Sequence, residues 1–419
     1  MAEVENQSPV RKCAGSTVSA AVTKSIRYRF EQVLHGFQDG QLLLTWPDGM
    51  THVYGQRSDC AEHNADVVLR SYQPLRRLIT DGQIGFAESY MRGEWDTENL
   101  ANLFSLIMRN DQRIRPATQG ARLFRLVNLW QHWTNRNSHS GSQRNIAFHY
   151  DLGNAFYRLW LDSTMSYSSA LFKSDNESLS SAQQNKFDKI SELLAMSSGS
   201  KVLDIGCGWG SLAHQLATDA GVDVTGVSLS SEQLEYAREH NFVDGSTGHS
   251  ENCRTRFEYK DYRDVKGKFD HIVSIEMFEA VGERYWETYF DKLNELLESG
   301  GTAVVQSITI AEDRFNEYRS RPDFIQRYIF PGGMLPTKSL LLEHVERVGL
   351  KLEHSQWFGD SYARTLSLWR KQFEKMSKEV LSMNFDERFV RMWRYYLVYC
   401  ETGFNIGRTN VGLLKLRKL

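Results

Sequence analysis

The segment KVLDIGCGWGSLA at 201–213 constrains the fold of this chain more than any other. Val202, Leu203 and Ile205 read as a buried strand, and the residues after the glycines carry apolar side chains at helical spacing. A strand that turns into a helix through Gly206, Gly208 and Gly210 brings bare backbone to a ligand, because no Cβ holds it off. It also aims the first amides of the helix at that ligand. Downstream the pattern repeats: VDVTGVSL, RFEYKDY, FDHIVSIEMF and TAVVQSITI read as strands, separated by helical stretches such as SEQLEYAREH. Alternation at this spacing predicts an α/β fold with a doubly wound, mostly parallel sheet. Ligands of such sheets sit at the carboxyl ends of the strands, where Asp204, Ser228, Asp261, Glu279 and Gln306 fall.

The 419 residues, 41% hydrophobic and 24% charged, suit a globular chain of more than one domain. Residues 1–25 are small and polar and read as a mobile tail. From residue 26 to about 112, turn signals (QDGQ, PDGM) between short alternating runs predict hairpins, followed by helices: a smaller α+β domain. An amphipathic helix and a Ser/Asn/Gly linker fill 113–145, and a catalytic domain occupies 146–419. A formal charge of -2 argues against a uniformly basic nucleic-acid coat. Five scattered cysteines suggest neither a disulfide framework nor a zinc site, and point to a reducing, cytoplasmic compartment. His149, His214, His240 and His271 are dispersed, so no metal centre is expected. No run approaches the roughly 20 apolar residues of a membrane span.

Three ligands compete for the glycine turn. A phosphate loop needs a Gly-Lys-Ser/Thr ending, which is missing after Gly208-Trp209-Gly210-Ser211. A dinucleotide needs an acid after the second strand, where Ser228 stands instead. S-adenosylmethionine suits LDIGCGWG better: its adenosine needs close backbone contact, and Asp204 can offset the positive charge of its amino acid end and sulfonium.

A set of further motifs carries a resemblance: HYDLGNAFY (149–157), MSYSSALF (165–172), SSAQQNK (180–186), GVSLSSEQ (226–233), EMFEAVGERYW (276–286), RYIFPGGMLP (327–336) and FGDSYARTLSLW (358–369). Together with VLDIGCGWG they make the chain similar to the cyclopropane fatty acid synthase family, from about residue 33 to the C-terminus. The resemblance implies transfer of the methyl carbon of S-adenosylmethionine to the double bond of an unsaturated acyl chain in a membrane phospholipid. The first product is a carbocation, which aromatic faces such as those of Tyr150, Tyr167, Phe278, Phe330 and Tyr362 can stabilise. Loss of a proton from the added carbon closes a cyclopropane; loss elsewhere leaves a branched alkene.

For the cofactor, the resemblance implies Gly206, Gly208 and Gly210 at the methionine and ribose, Ser228 and Gln233 on the ribose hydroxyls, and Asp261 with Tyr262 beside the adenine. Tyr167 and Ser168 would close over the methionine end, and Tyr150 is a further cofactor-binding residue the resemblance implies. It also implies a bicarbonate held as the base, with Glu279, the Ile308 carbonyl and Tyr362 as ligands. Ser169 and Gln306 stand where the family has cysteine and histidine, and Ala280 where it commonly has a second histidine. The serine and glutamine departures make a branched product the close alternative to a ring, and a lipid-binding protein with a vestigial cofactor fold is the alternative of a different class. Leu123, Leu126, Val127, Trp130 and Trp133, ringed by Arg122, Arg125 and Arg136, would form one helix stripe that either meets an anionic lipid surface or packs on the protein's own core. The resemblance further implies dimerisation through the N-terminal domain and a peripheral place at the inner membrane surface.

Overall fold

Short alternating runs near the N-terminus build a four-stranded sheet from β1 (Gln41–Thr45), β2 (Thr51–Gly55), β3 (Asn64–Leu69) and β4 (Trp95–Asp96), in the order β2-β1-β3-β4. The computed structural model describes residues 20–111, 113, 152–241 and 254–419. The hairpin signalled by WPDGM joins β1 to β2, closed by a 2.8 Å bond from the Trp46 amide to the Met50 carbonyl, with Gly49 at φ 85°. One expectation is corrected just upstream. Ala20–Leu34 is a helix, so the polar tail read as running to residue 25 ends by residue 19, and YRFEQVL is helical rather than part of a hairpin. Its buried Phe30 and Leu34, four residues apart, give the face that joins the apolar core.

The second sheet has seven strands: β5 (Lys201–Ile205), β6 (Asp223–Ser228), β7 (Arg254–Tyr259), β8 (Phe269–Ile275), β9 (Leu297–Ile310), β10 (Leu350–Trp357) and β11 (Thr409–Lys418). Their order is β10-β11-β9-β8-β5-β6-β7. Neighbours from β7 to β9 pair in parallel, while β11 runs antiparallel between β9 and β10. The doubly wound α/β expectation therefore holds with one inserted reversal. The final strand is ten residues long and sits inside the sheet. β10 carries an alternating exposed and half-buried pattern that the sequence reading passed over. Gly300 and Gly301 fall in a bulge inside β9: Phe269 pairs with Leu297 but His271 with Thr302, so β9 carries three extra residues there.

The two sheets share a continuous apolar core. Trp95 and Phe104 from the N-terminal part cluster with Trp160, Trp369 and Trp393 from the larger part. The helix Glu387–Asn405 forms the seam, where Tyr395 meets the edge of Phe104 with ring centres 4.8 Å apart. Arg391 on the same helix donates to the carbonyls of Tyr90 and Trp95, and its guanidinium lies 3.9 Å from the centre of the Tyr90 ring. The amphipathic stripe at 123–133, the linker that follows it and Tyr150 lie outside the described residues.

Candidate active site

At the carboxyl end of β5 the chain leaves the sheet through three left-handed glycines, Gly206 (φ 81°), Gly208 (φ 53°) and Gly210 (φ 87°). Two have no room for a side chain. A Cβ on Gly206 would stand 2.8 Å from the Met277 side chain, and one on Gly210 would stand 2.8 Å from the Phe257 ring. Gly208 faces open space. That space is a cavity of about 170 Å³ bounded by the glycine bend, the ends of β6 and β8, and residues 164–168. The helix Ser211–Ala220 begins directly after Gly210, so its first amides point toward the same end of the sheet.

The lining fits S-adenosylmethionine. Asp204 is buried with its Oδ2 atom unpartnered, and burial pushes its carboxyl up to about 7. A buried, unpaired carboxylate is costly until a cation arrives, and the cofactor supplies an ammonium and a sulfonium. On the wall made by β6, the Ser228 hydroxyl donates to Gln233 Oε1 at 3.2 Å, leaving the glutamine amide NH2 group as a donor for a diol. Asp261 receives the backbone and guanidinium N–H groups of Arg263, and Tyr262 lies buried beside it against Tyr289. Tyr167 and Ser168 close another side; the Tyr167 hydroxyl is 2.7 Å from that of Tyr396. The structure thus brings Asp204, the three glycines, Ser228, Gln233, Asp261, Tyr262, Tyr167 and Ser168 around one cavity.

The expected base cluster is arranged differently. Glu276, not Glu279, fronts the cavity, and its carboxylate collects three donors. The Ser169 backbone N–H donates to Oε1 at 2.8 Å, Gln306 Nε2 donates to Oε1 at 2.6 Å, and the Tyr362 hydroxyl donates to Oε2 at 2.6 Å. Glu279 turns to the β9 backbone, where its Oε1 accepts the Ile308 N–H, while Oε2 is buried without a partner. Burial and the neighbouring Glu276 charge push Glu279 up to about 8. The Ile308 carbonyl accepts from the Ser307 hydroxyl, and the Ser169 hydroxyl donates to the Ala170 carbonyl. A bicarbonate among Ser169, Gln306 and Tyr362 does not fit this arrangement, because the donors it would need are directed at Glu276.

Two site residues escape the sequence reading. Glu276 was hidden by Glu279 three positions on, in the motif that carries the resemblance. Lys186 was read only as part of SSAQQNK, yet it is 1% exposed and its ammonium donates to the Ser168 hydroxyl at 2.7 Å. Burial pushes that ammonium down to about 8, while the charges of Glu276 and Asp162 oppose the shift. A signal for it existed: Ala182, Lys186 and Ile190 recur at helical spacing on the buried face of the helix Leu179–Leu194. Of the aromatic candidates, Phe278 is a correction. Its ring is fully buried among Trp286, Tyr289 and Phe290 and does not line the cavity. Phe330 packs edge-on to Tyr396, and Tyr362 lies against Phe404 with ring centres 4.4 Å apart.

A parallel sheet closed by one antiparallel strand, with a cradle of this chemistry at the β5 bend, is the architecture of the S-adenosylmethionine-dependent methyltransferases, and this chain is one of them. Within that class it belongs to the mycolic acid cyclopropane synthetase family, whose model matches residues 137–414. It is 37% identical over 352 residues to tuberculostearic acid methyltransferase UfaA1 of Mycobacterium tuberculosis, covering 80% of this chain and 79% of that one. It is 35% identical over 350 residues to a cyclopropane-fatty-acyl-phospholipid synthase of Escherichia coli, covering 81% and 84%. Among solved structures, mycolic acid cyclopropane synthase CmaA1 complexed with SAH and CTAB superposes with a TM-score of 0.60 at 29% identity, over 66% of this chain and 98% of that one.

Proposed function

We propose that this enzyme adds one carbon from S-adenosylmethionine to the double bond of an unsaturated acyl chain of a membrane phospholipid and closes the product to a cyclopropane. The carrying observation is that the glycine-bend cavity opens onto a partly buried carboxylate, Glu276, that has no ion-pair partner in contact among the described residues. Bound in that cavity, the cofactor supplies an electrophilic methyl group. An alkene is a weak nucleophile, so the protein must align it and keep water out. Buried Met165 and half-buried Tyr167 supply an apolar and aromatic wall, and the Tyr167 face can stabilise a developing carbocation. Access from a bilayer surface agrees with the helices described: none is long and apolar enough to cross a membrane.

A second reading, a methyl or methylene branch on the same lipid, is favoured by Ser169 and Gln306 and by the 37% identical relative named as a methyltransferase. The two separate in one experiment. Vesicles of dioleoyl phosphatidylglycerol are incubated with the protein and cofactor carrying a 13C methyl, and the extracted lipid is analysed by NMR. Label in a ring methylene supports the first reading, and label in a methyl or exocyclic methylene supports the second. Label that never leaves the cofactor overturns both.

A further inference from the structure

We propose that the Glu276 carboxylate is itself the proton acceptor of this reaction, a base built into the chain where the resemblance would put an exchangeable bicarbonate. The inference rests on the acyl-methylating reading above. Glu276 sits at the carboxyl end of β8 and lines the cavity together with Gly206 and Ser168. Its backbone is left-handed, φ 51°, a conformation unfavourable for a residue with a Cβ and one that glycine would adopt freely. The fold tolerates that cost at a position facing the cavity, where it aims a carboxylate inward.

Three donors then fix the group. Ser169 N–H and Gln306 Nε2 hold one oxygen and the Tyr362 hydroxyl holds the other. These are three of the five positions to which the resemblance assigns the bicarbonate, so one anion site has exchanged a diffusible occupant for a tethered one. Burial raises the Glu276 carboxyl above its ordinary value, which makes it a stronger base than an exposed carboxylate, while the three hydrogen bonds and the Lys186 charge oppose that rise. Glu279, pushed up to about 8 by burial and by the neighbouring Glu276, keeps its proton at neutral pH.

The step balances without any further reactant. The methylated acyl chain carries one positive charge; a C–H bond of the added carbon breaks, its electron pair forms the last ring bond, and the proton joins a Glu276 oxygen. A methylene branch would use the same acceptor after the cation has moved along the chain.

The test uses the full chain, S-adenosylmethionine and the vesicles above, in buffer freed of carbon dioxide. Wild type keeps its rate there, whereas Glu276→Gln loses about 10²–10⁴-fold, the range of a general base, with its affinity for S-adenosylhomocysteine retained. Glu276→Gly, which suits the left-handed backbone, regains rate when bicarbonate or formate is added. Independently of turnover, calorimetry with S-adenosylhomocysteine bound shows bicarbonate binding to Glu276→Gly and none to wild type. Wild-type dependence on bicarbonate, bicarbonate heat with wild type, or a Glu276→Gln enzyme as fast as wild type would each overturn the base assignment while leaving the methyl-transfer reading intact. A wild-type chain that labels no lipid would remove both.

Discussion

At the scale of single residues, Asp204 couples cofactor binding to pH. Its carboxyl is raised from an ordinary value of 3.8 to about 7 by burial, with Cys207 the titratable neighbour on the same bend. A raised folded value means that this group's contribution to stability is complete below 3.8 and is lost as pH climbs through about 7, where the buried acid must ionise. A bound cation reverses that sign. Stabilisation by S-adenosylhomocysteine, read as a rise in Tm, is therefore expected to be larger at pH 8 than at pH 6, and Asp204→Asn should flatten the difference. An equal shift at both pH values in wild type would contradict the pairing. Lys186 shows the same logic from the other side: an ammonium with almost no exposure stays in the core because Ser168 and the field of Glu276 compensate it.

At the scale of elements, the glycine bend makes a prediction that separates folding from binding. Gly210→Ala meets both a positive φ and the Phe257 ring, so a loss of about 1–3 kcal/mol in stability is expected, measured by urea unfolding. Gly208→Ala meets only the φ penalty, because its Cβ would stand in open space, and that space belongs to the cofactor. It should lower affinity for S-adenosylhomocysteine by calorimetry far more than it lowers the urea midpoint. The bend was legible in the sequence because glycine spacing after an apolar run has few structural solutions, and the parallel strands were legible because buried strands read as continuous apolar runs. β10 was not, since an edge strand with one wet face alternates weakly, and β11 was underestimated because its place in the middle of the sheet is a tertiary fact. Glu276 was missed for a related reason. A residue in a glycine conformation carries no mark in the sequence unless its backbone angle is known.

At the scale of the whole molecule, the N-terminal sheet and the catalytic sheet are fastened along the helix Glu387–Asn405. Arg391 reaches Asp96 as well as two carbonyls, and Arg314 and Arg408 converge on Asp111. Hydrogen bonds to a charged group are worth about 1.5–3 kcal/mol. Arg391→Ala is expected to destabilise the chain by about that much in chemical unfolding, and to make the N-terminal part more susceptible to proteolysis before the catalytic part is cut. Simultaneous cutting of both would mean that the seam carries little of the stability.

The place of β11 between β9 and β10 has a consequence for how such a molecule is made. While a ribosome is still translating, β9 presents one open edge, and β10 has no hydrogen-bonded neighbour in the sheet until Thr409–Lys418 has been synthesised. That side of the sheet therefore closes only after Thr409–Lys418 has been made, and until then the open edge of β9 has to be kept from pairing with other chains.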